Sequence, residues 1–364
     1  MRGIFLLCIM TVMIWAVPMT EKYPSYSYVF NEFDVDDNYI YDDTFAAFLY
    51  KHEKRYQRFY ENSLKRGGHL IPTFKSMLMQ DGLSDLFVYM SMIESGFATD
   101  SVSSKSAVGI WQFMKATAKQ YNLDVNSDFD ERLDPVLATS AAMRYMHKLY
   151  GDFGKWYLVA MAYNCGEGRL KKGIARAGTD DISVLMRDDM NYIPKETRFY
   201  LKKILLVAMI GENVSLGFEE NMEGAIVELY GEGVVQVEVQ PGERLENIAK
   251  MINIEPKDLL KINHHFKNGI VPVKLPSYKM NIPNIKVVDF YAIYTLKREL
   301  EKYSKTHYLS HKVKSEEKLD QIAAKYQTTV REILVFNPLD KRKINSGQVL
   351  VIPVNKKVFM RFSD

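Results

Sequence analysis

The residue whose chemistry stands out is Glu94. It follows an almost unbroken apolar run, residues 86–93, at a point where the pattern calls for burial. A glutamate is almost never fully buried without a partner, so a carboxyl here needs a reason. One reason is chemical. An apolar wall penalises the ionised form and raises the pKa, and the group then still holds a proton near neutral pH. The other is helix termination, with Glu94 turned to solvent and Gly96 as the C-cap. A Ser- and Gly-containing loop follows, and a second helical pattern opens at Ala107, with Gly109, Trp111 and Gln112 near its start. Other reactive types give less. Cys165 as a nucleophile needs a nearby base, and nothing marks His147, the closest histidine in sequence, as that base. The seven histidines show no metal-ligand spacing, His264-His265 reads as a loop pair, and no phosphate-type glycine loop is present. Neither a metal nor a cofactor is expected.

A carboxyl is held against an apolar wall only by a rigid frame, and residues 67–215 read as helices throughout. The pattern predicts helices over 71–80, 86–95 and 107–121, the last from Val108, Trp111, Met114 and Ala118 near helical period. Asp134-Pro135 is a cap residue followed by proline, a start signal for a helix running to Tyr150 and stopped by Gly151. Residues 156–164 form another helix, stopped by Gly166 and Gly168. Residues 195–212 form the last, with Phe199, Ile204, Leu205, Ala208 and Met209 inward. No strand pattern interrupts this block. Ahead of it, residues 21–66 read as an arm packing on it, with a helix over 43–64.

The chain has 364 residues and 47% hydrophobic content, enough for several packed domains. Its net charge of +3 is too small to argue for nucleic acid. Residues 285–364 hold 16 Lys+Arg against 9 Asp+Glu, a basic tail that suits either an anionic polymer or plain solubility. Residues 1–20 carry an address: Met1-Arg2, then an apolar stretch to Val17, too short to span a bilayer comfortably and fitting a secretory signal. Retention as an anchor stays open. Cys8 lacks the small residue before it that lipid attachment needs. With the signal removed Cys165 stands alone, and an exported chain without disulfides fits a bacterial periplasm.

After Gly211 short strands and helices alternate, and the segment repeats. Leu245, Ile248, Ala249 and Asn263 fall on Leu319, Ile322, Ala323 and Asn337 at an offset of 74. Each copy ends in an apolar residue plus proline, taken as Leu275-Pro276 and Ile352-Pro353, and reads as strand, helix, helix, strand. The second copy resembles a LysM module through His311, Val313, Leu319, Ile322-Ala323, Tyr326, Ile333-Leu334, Asn337, Gly347 and Leu350-x-Ile352-Pro353. The Gly-Asp-Thr usual in that family is here Glu316-Glu317-Lys318. The first copy keeps Pro241-Gly242 but lacks a clean C-terminal strand, and reads as a degenerate LysM.

The helical block resembles the catalytic domain of soluble-type lytic murein transglycosylases, most closely the membrane-bound type D with trailing LysM modules. The resemblance covers about residues 80–212 and rests on four separated motifs: Glu94-Ser95; Gly109-Ile110-Trp111-Gln112; residues 162–168, AYNCGEG; and Glu196-Thr197-Arg198-x-Tyr200. It implies a mainly α, lysozyme-like catalytic domain followed by small α+β LysM modules. It also implies cleavage of the β-1,4 bond between N-acetylmuramic acid and N-acetylglucosamine, with 1,6-anhydromuramoyl ends. Such enzymes need no activated water, because the muramic C6 hydroxyl attacks its own C1. One carboxyl then replaces the usual pair, and the match makes it Glu94.

By the same match, Ser103, Gln112, Tyr163, Asn164, Glu196 and Tyr200 contact substrate. Ser103 meets an acetamide, Gln112 offers an amide, Tyr163 sets a phenol near C1 or Glu94, and Asn164 orients its turn. Glu196 and Tyr200 close the cleft, with Arg198 near Glu196 in sequence. Ser95 and Trp111 are structural, and Cys165 fills a site where the family usually has alanine. The implied partners are peptidoglycan strands, with N-acetylglucosamine-containing glycan for the LysM modules, and no nucleic acid. The enzyme is expected to be a periplasmic monomer, with membrane association left open. The domain order is 1–20 signal or anchor, 21–66 arm, 67–215 catalytic domain and 216–233 linker. Next come 234–284 degenerate LysM, 285–305 linker helix and 306–355 LysM. Two rivals stand: a lysozyme-like hydrolase of the same bond, and a non-catalytic peptidoglycan-binding protein.

Overall fold

The computed structural model describes residues 18–217, 233–273, 277–304, 307–337, 339 and 343–362. Most of the expected export segment, Cys8 included, lies outside the described residues. So do residues 218–232 of the expected linker and the dipeptide Leu275-Pro276. The chain divides into two compact units at Val287.

In the first unit, α1 (Met19–Lys22) and α2 (Tyr26–Glu32) lead into α3 (Asp43–Gly67). Asp42 starts α3 by accepting the amides of Thr44 and Phe45 at 3.0 and 2.9 Å. Its stripe of Phe45, Phe48, Leu49, Tyr56, Tyr60 and Leu64 is buried. That stripe packs on α11 (Lys195–Ser215), which is buried almost all round from Tyr200 to Val214. A helix apolar on every side belongs inside a core, and α11 is the axis of this one. Ser25 is tied to it at Asn213 Oδ1 (2.6 Å) and Met209 O (3.1 Å), so the N-terminal segment shares the core with the block.

Of the remaining helices, α5 (Val88–Ser95) and α8 (Trp156–Cys165) pack on α11; α7 (Pro135–Phe153) packs on α8 and on α4 (Ile71–Gln80), α9 (Glu167–Ala177) on α8 and α10 (Ile182–Leu185) on α9, and α6 (Lys115–Gln120) lies between α5 and α7 in the chain. Asp134 caps α7 through Val136 and Leu137 as its sequence signal asks. Gly154, not Gly151, ends it, with φ +68°.

The predicted helix over 107–121 is corrected. Only Lys115–Gln120 is helical; residues 102–113 form a tight loop of single bridges, Val102 with Val108 and Val108 with Phe113. The cause is Gly109. Its φ is +81°, and a Cβ there would lie 1.8 Å from Arg132 O, so the backbone turns where a helix would continue. The apolar spacing of Val108, Trp111 and Met114 comes from loop side chains meeting the core in turn.

Next come β1 (Val234–Val239), α12 (Leu245–Met251), α13 (Pro256–Lys261) and β2 (Tyr278–Pro283). The strands pair antiparallel over all six residues, Val234 with Pro283 through Val239 with Tyr278. The strand of this copy is therefore intact, and it ends in Ile282-Pro283. The loop after Asn263 is longer than that after Asn337, so the Ile-Pro pair of the strand lies seven residues beyond the expected Leu275-Pro276.

This first module packs on the helical block. Thr73 Oγ1 brackets Val234 N and O at 2.8 and 3.0 Å, Thr99 Oγ1 donates to Lys261 O at 2.7 Å, and Lys267 Nζ reaches Asn126 and Ser127 carbonyls. Phe129 meets the Tyr278 ring edge-on at 5.8 Å. The loop histidine His265 is buried with its Nε2 3.4 Å from Asp134 Oδ2.

The second unit opens with α14 (Val287–Ser304). It holds β3 (His307–Lys312), α15 (Leu319–Lys325), α16 (Val330–Phe336), β4 (Val349–Val354) and α17 (Lys356–Phe362). The strands pair His307 with Val354 through Lys312 with Val349. Both helices pack their Leu319, Ile322, Ala323 and Ile333 on Leu350 and Ile352. The internal repeat is also a repeat of bonds. Asn337 Nδ2 donates to Ile333 O and Val351 O, and its Oδ1 accepts Val351 N. Asn263 makes the same three bonds with Leu259 O, Asn281 O and Asn281 N. Where the second copy carries Glu316-Glu317-Lys318, Glu317 accepts from Lys314 N (2.7 Å) and lies 2.9 Å from His311 Nε2, closing that turn with a side chain.

Candidate active site

Glu94 sits in the last turn of α5. Val88 to Met92 are fully buried, and Gly96 (φ +58°) closes the helix with its amide on Met92 O at 2.7 Å. Both sequence readings of this end therefore describe part of it: Gly96 is the cap, but the Glu94 carboxyl turns inward. Burial pushes its pKa up to about 7, partly offset by the Tyr200 hydroxyl and the charge of Lys203, with Glu196 pushing the same way as burial. The Tyr200 contact is loose, since the buried phenol oxygen has no partner of full hydrogen-bond geometry.

Four bonds or contacts join the four motifs in a ring. Ser95 Oγ donates to Ile110 O at 3.0 Å, tying the acid's helix to the Gly109 loop. Tyr163 Oη donates to Trp111 O at 2.9 Å, tying that loop to α8. Thr197 Oγ1 donates to Asn164 Oδ1 at 2.8 Å, tying α8 to α11. Tyr200 returns from α11 to Glu94. Each motif thus has a mechanical reason for its polar residue. The loop is further braced by the buried Arg132. It pairs with Asp130 at 2.7 Å and donates to Phe113 O at 3.1 Å.

The individual side chains divide into those that face Glu94 and those that hold the frame. Tyr163 and Tyr200 both interact with Glu94, and burial first, then that carboxyl, holds both phenols well above their ordinary pKa. Both hydroxyls stay protonated and can donate. Tyr163 lies among the rings of Trp111, Phe113 and Tyr145, 6.3, 6.3 and 5.3 Å away. Glu196 is exposed at the first turn of α11. It does not pair with Arg198, which two residues on points elsewhere and binds Asp188 at 3.0 Å and Ile193 O.

Gln112 holds φ +49° and donates its amide nitrogen to Gly109 O (2.8 Å) and Ser101 O (3.3 Å). Its donors are taken by its own loop, which leaves the amide oxygen for a ligand. Ser103 Oγ accepts Ala107 N at 3.0 Å and closes the same loop. Trp111 is core, fully buried with Nε1 on Thr139 Oγ1 at 2.8 Å. Cys165 is partly exposed, and burial of its thiol raises its pKa, the wrong direction for a nucleophile. His147 binds Asp81 instead.

Lys203 was missed from the sequence. Glu196, Tyr200 and Lys203 stand at i, i+4 and i+7, one face of α11, so the spacing was there to be read. Burial lowers the Lys203 pKa, against the pull of Glu196 and Glu94.

Residues 72–186 match the family profile described as Transglycosylase SLT domain, and residues 237–273 and 311–353 match LysM domain. The chain carries one SLT domain and two LysM domains. It is 27% identical over 280 residues to Membrane-bound lytic murein transglycosylase D of Escherichia coli strain K12. That match covers 73% of this chain and 59% of the relative, so the chain spans less than two thirds of that relative's length. It is 36% identical over 138 residues to Peptidoglycan transglycosylase gp16 of Escherichia phage T7, covering 37% of this chain and 10% of that protein. Among solved structures, the 70 kDa soluble lytic transglycosylase of Escherichia coli is 23% identical over 40% of this chain and 24% of its own, with a TM-score of 0.33.

Proposed function

We propose that this chain is a peptidoglycan lytic transglycosylase, acting in the envelope with Glu94 as its one acid and base. The observation that carries the reading is the carboxyl itself: a glutamate with a pKa of about 7, set between two protonated phenols at a helix end. Near neutral pH about half of such groups hold a proton, the condition in which one residue can both give and take it. Glu94 hands its proton to the glycosidic oxygen as the C1–O bond breaks, and the released sugar leaves with a free hydroxyl. The muramic C6 oxygen then bonds to C1 while its proton passes to Glu94, which is restored. No water is consumed, and the product ends in a 1,6-anhydro ring.

Tyr200 donates toward the carboxyl, while Tyr163, whose one proton goes to Trp111 O, presents its oxygen as an acceptor beside it. The Gln112 amide oxygen and the Ser103 hydroxyl hold acetamide or hydroxyl groups of the glycan. Asn164 keeps the α8 turn on α11, and Glu196, exposed at the rim, binds substrate rather than attacking it. The two LysM modules bind N-acetylglucosamine-containing strands. The setting is the periplasm, a reading supported by the SLT match and by the apolar run of residues 3–17 expected to serve as an export signal.

The test is mass spectrometry of purified sacculi digested by the wild type and by Glu94→Gln. Anhydro ends, lighter than hydrolysed ends by one water, are expected from the wild type and none from the variant. Hydrolysed ends would replace the transglycosylase by a hydrolase, and full activity of Glu94→Gln would remove Glu94 from the mechanism.

A further inference from the structure

The seam between α3 and α11 holds a row of aromatic rings that the proposed chemistry does not use. Phe199 on α11 meets His52 on α3 at 6.1 Å, His52 meets Tyr56 at 6.4 Å, and Tyr56 meets Phe59 at 5.9 Å. Tyr56 and Phe48 are buried, and Phe48 touches Phe199 at 5.6 Å, so these two pin the helices together. His52, Phe59 and Phe199 keep part of their surface in solvent. His52, Arg55 and Phe59 stand at i, i+3 and i+7, one face of α3. From His52 to Phe59 the helix advances about 10 Å.

The row ends beside the acid. A Cβ on Gly96 would lie 3.4 Å from Phe59 Cε2 and 3.3 Å from Ser63 Oγ, so α3 touches the cap of the helix that carries Glu94. Arg66 secures that contact by donating to Gly96 O at 2.7 Å. On the other side, Glu196, Phe199 and Lys203 share one face of α11. Beyond its burial, Lys203 feels the charges of Glu196, Glu94 and Arg55, so α3 and the acid face the same ammonium. Because α3 precedes the matched residues 72–186, this wall comes from the N-terminal arm.

The lining alternates uncharged rings with donors. Burial, then the charges of Lys51 and Arg55, lowers the His52 pKa, so its ring is neutral at neutral pH. Lys195 sets its ammonium 5.8 Å over the Phe199 ring, and Arg55 is exposed. A pyranose carries the matching pattern, an apolar face of C–H groups bordered by hydroxyls and acetamides. Aromatic walls with a few convergent polar groups are the usual make-up of a site for such a ligand.

We infer that His52, Phe59 and Phe199 form a further subsite for the glycan strand, supplied to the cleft by the N-terminal arm. This rests on the proposed peptidoglycan activity. A strand with its scissile bond at Glu94 continues along α3, its sugars against the rings and its oxygens toward Arg55 and Lys195. Short fragments end before the row and gain nothing from it.

The test uses the full chain and stem-bearing fragments of two lengths, a tetrasaccharide and long strands. The wild type is expected to cleave the long strands with the higher kcat/KM. His52→Ala with Phe59→Ala should lose about tenfold on long strands, through KM, and stay within about twofold on the tetrasaccharide. Phe59→Trp alone keeps a ring and should keep the preference. An equal loss at both lengths, or none at either, overturns the inference. The second arm reads the wall directly. Phe59→Trp combined with Glu94→Gln is titrated with long strands stripped of peptide by an amidase, and its indole fluorescence should change beyond that of Glu94→Gln alone. No change, or a change only with stem-bearing strands, overturns the sugar assignment. Should the wild type cleave no peptidoglycan, the catalytic proposal falls and the titration still decides the wall.

Discussion

Replacing Glu94 by glutamine tests the electrostatics of the site without any substrate. Glutamine matches the protonated carboxyl in shape and charge. With a folded pKa of about 7 against an ordinary 4.5, the ionised form costs the fold about 3 kcal/mol. The sign follows from proton counts. Below pH 4.5 both states hold the proton and there is no difference. Between 4.5 and 7 the folded state keeps a proton that the unfolded state has lost, so stability falls as pH rises. Above 7 both are ionised and the whole penalty stands. Glu94→Gln should therefore equal the wild type near pH 4 and exceed it by up to about 3 kcal/mol at pH 8. Urea unfolding at pH 4 to 8, followed by near-ultraviolet dichroism of the buried Trp111, reads this directly. A difference that stays flat between pH 4.5 and 7 would show that the carboxyl ionises as if in water, and the acid role would lose its physical basis. The same group sets the rate: wild-type activity should fall about tenfold per pH unit well above 7, as the proton is lost.

Lys203→Met removes a charge that favours ionised Glu94, so the alkaline limb of the wild-type pH–rate profile should move upward; an unmoved limb refutes the contact. Gly109→Ala places a Cβ 1.8 Å from Arg132 O at φ +81°, and should destabilise the helical block by more than about 2 kcal/mol in urea while lowering activity. Asn337→Ala strands the Val351 amide and two carbonyls, and should cost the second module about 2–3 kcal/mol, read as faster hydrogen exchange at Val351.

What could be read in the chain was what repeats or what chemistry demands. Glu94 announced itself because an acid after an apolar run violates burial rules. The Asn263 and Asn337 pair was visible as an offset, and the structure gives it a cause: one side chain that staples helix to strand, with one bond to the helix and two to the strand. Periodicity misled where the backbone, not the side chains, set the path. Residues 107–114 carry a helical spacing, yet Gly109 lies against Arg132 O and Gln112 sits at φ +49°, and neither constraint leaves a trace in hydrophobicity. Gln112 is the sharpest case. Its type suggested an amide for sugars, and half of that amide is spent holding the loop that presents the other half.

The seat of the first module could not be read at all, for a physical reason. Thr73, Thr99, Asn126 and Lys267 are ordinary surface residues in any single-element reading, and the bonds they make go mostly to backbone groups of a segment up to 162 positions away. Main-chain acceptors carry no residue identity, so such an interface is silent in the sequence on one side. Only His265 leaves a hint, a histidine buried against the Asp134 cap of α7. That cap also starts the helix after the Arg132 buttress. The module, the cap and the Gly109 loop therefore form one stack of contacts, and loosening the module from Asp134 and Phe129 should be felt at Gln112 before it is felt in the core.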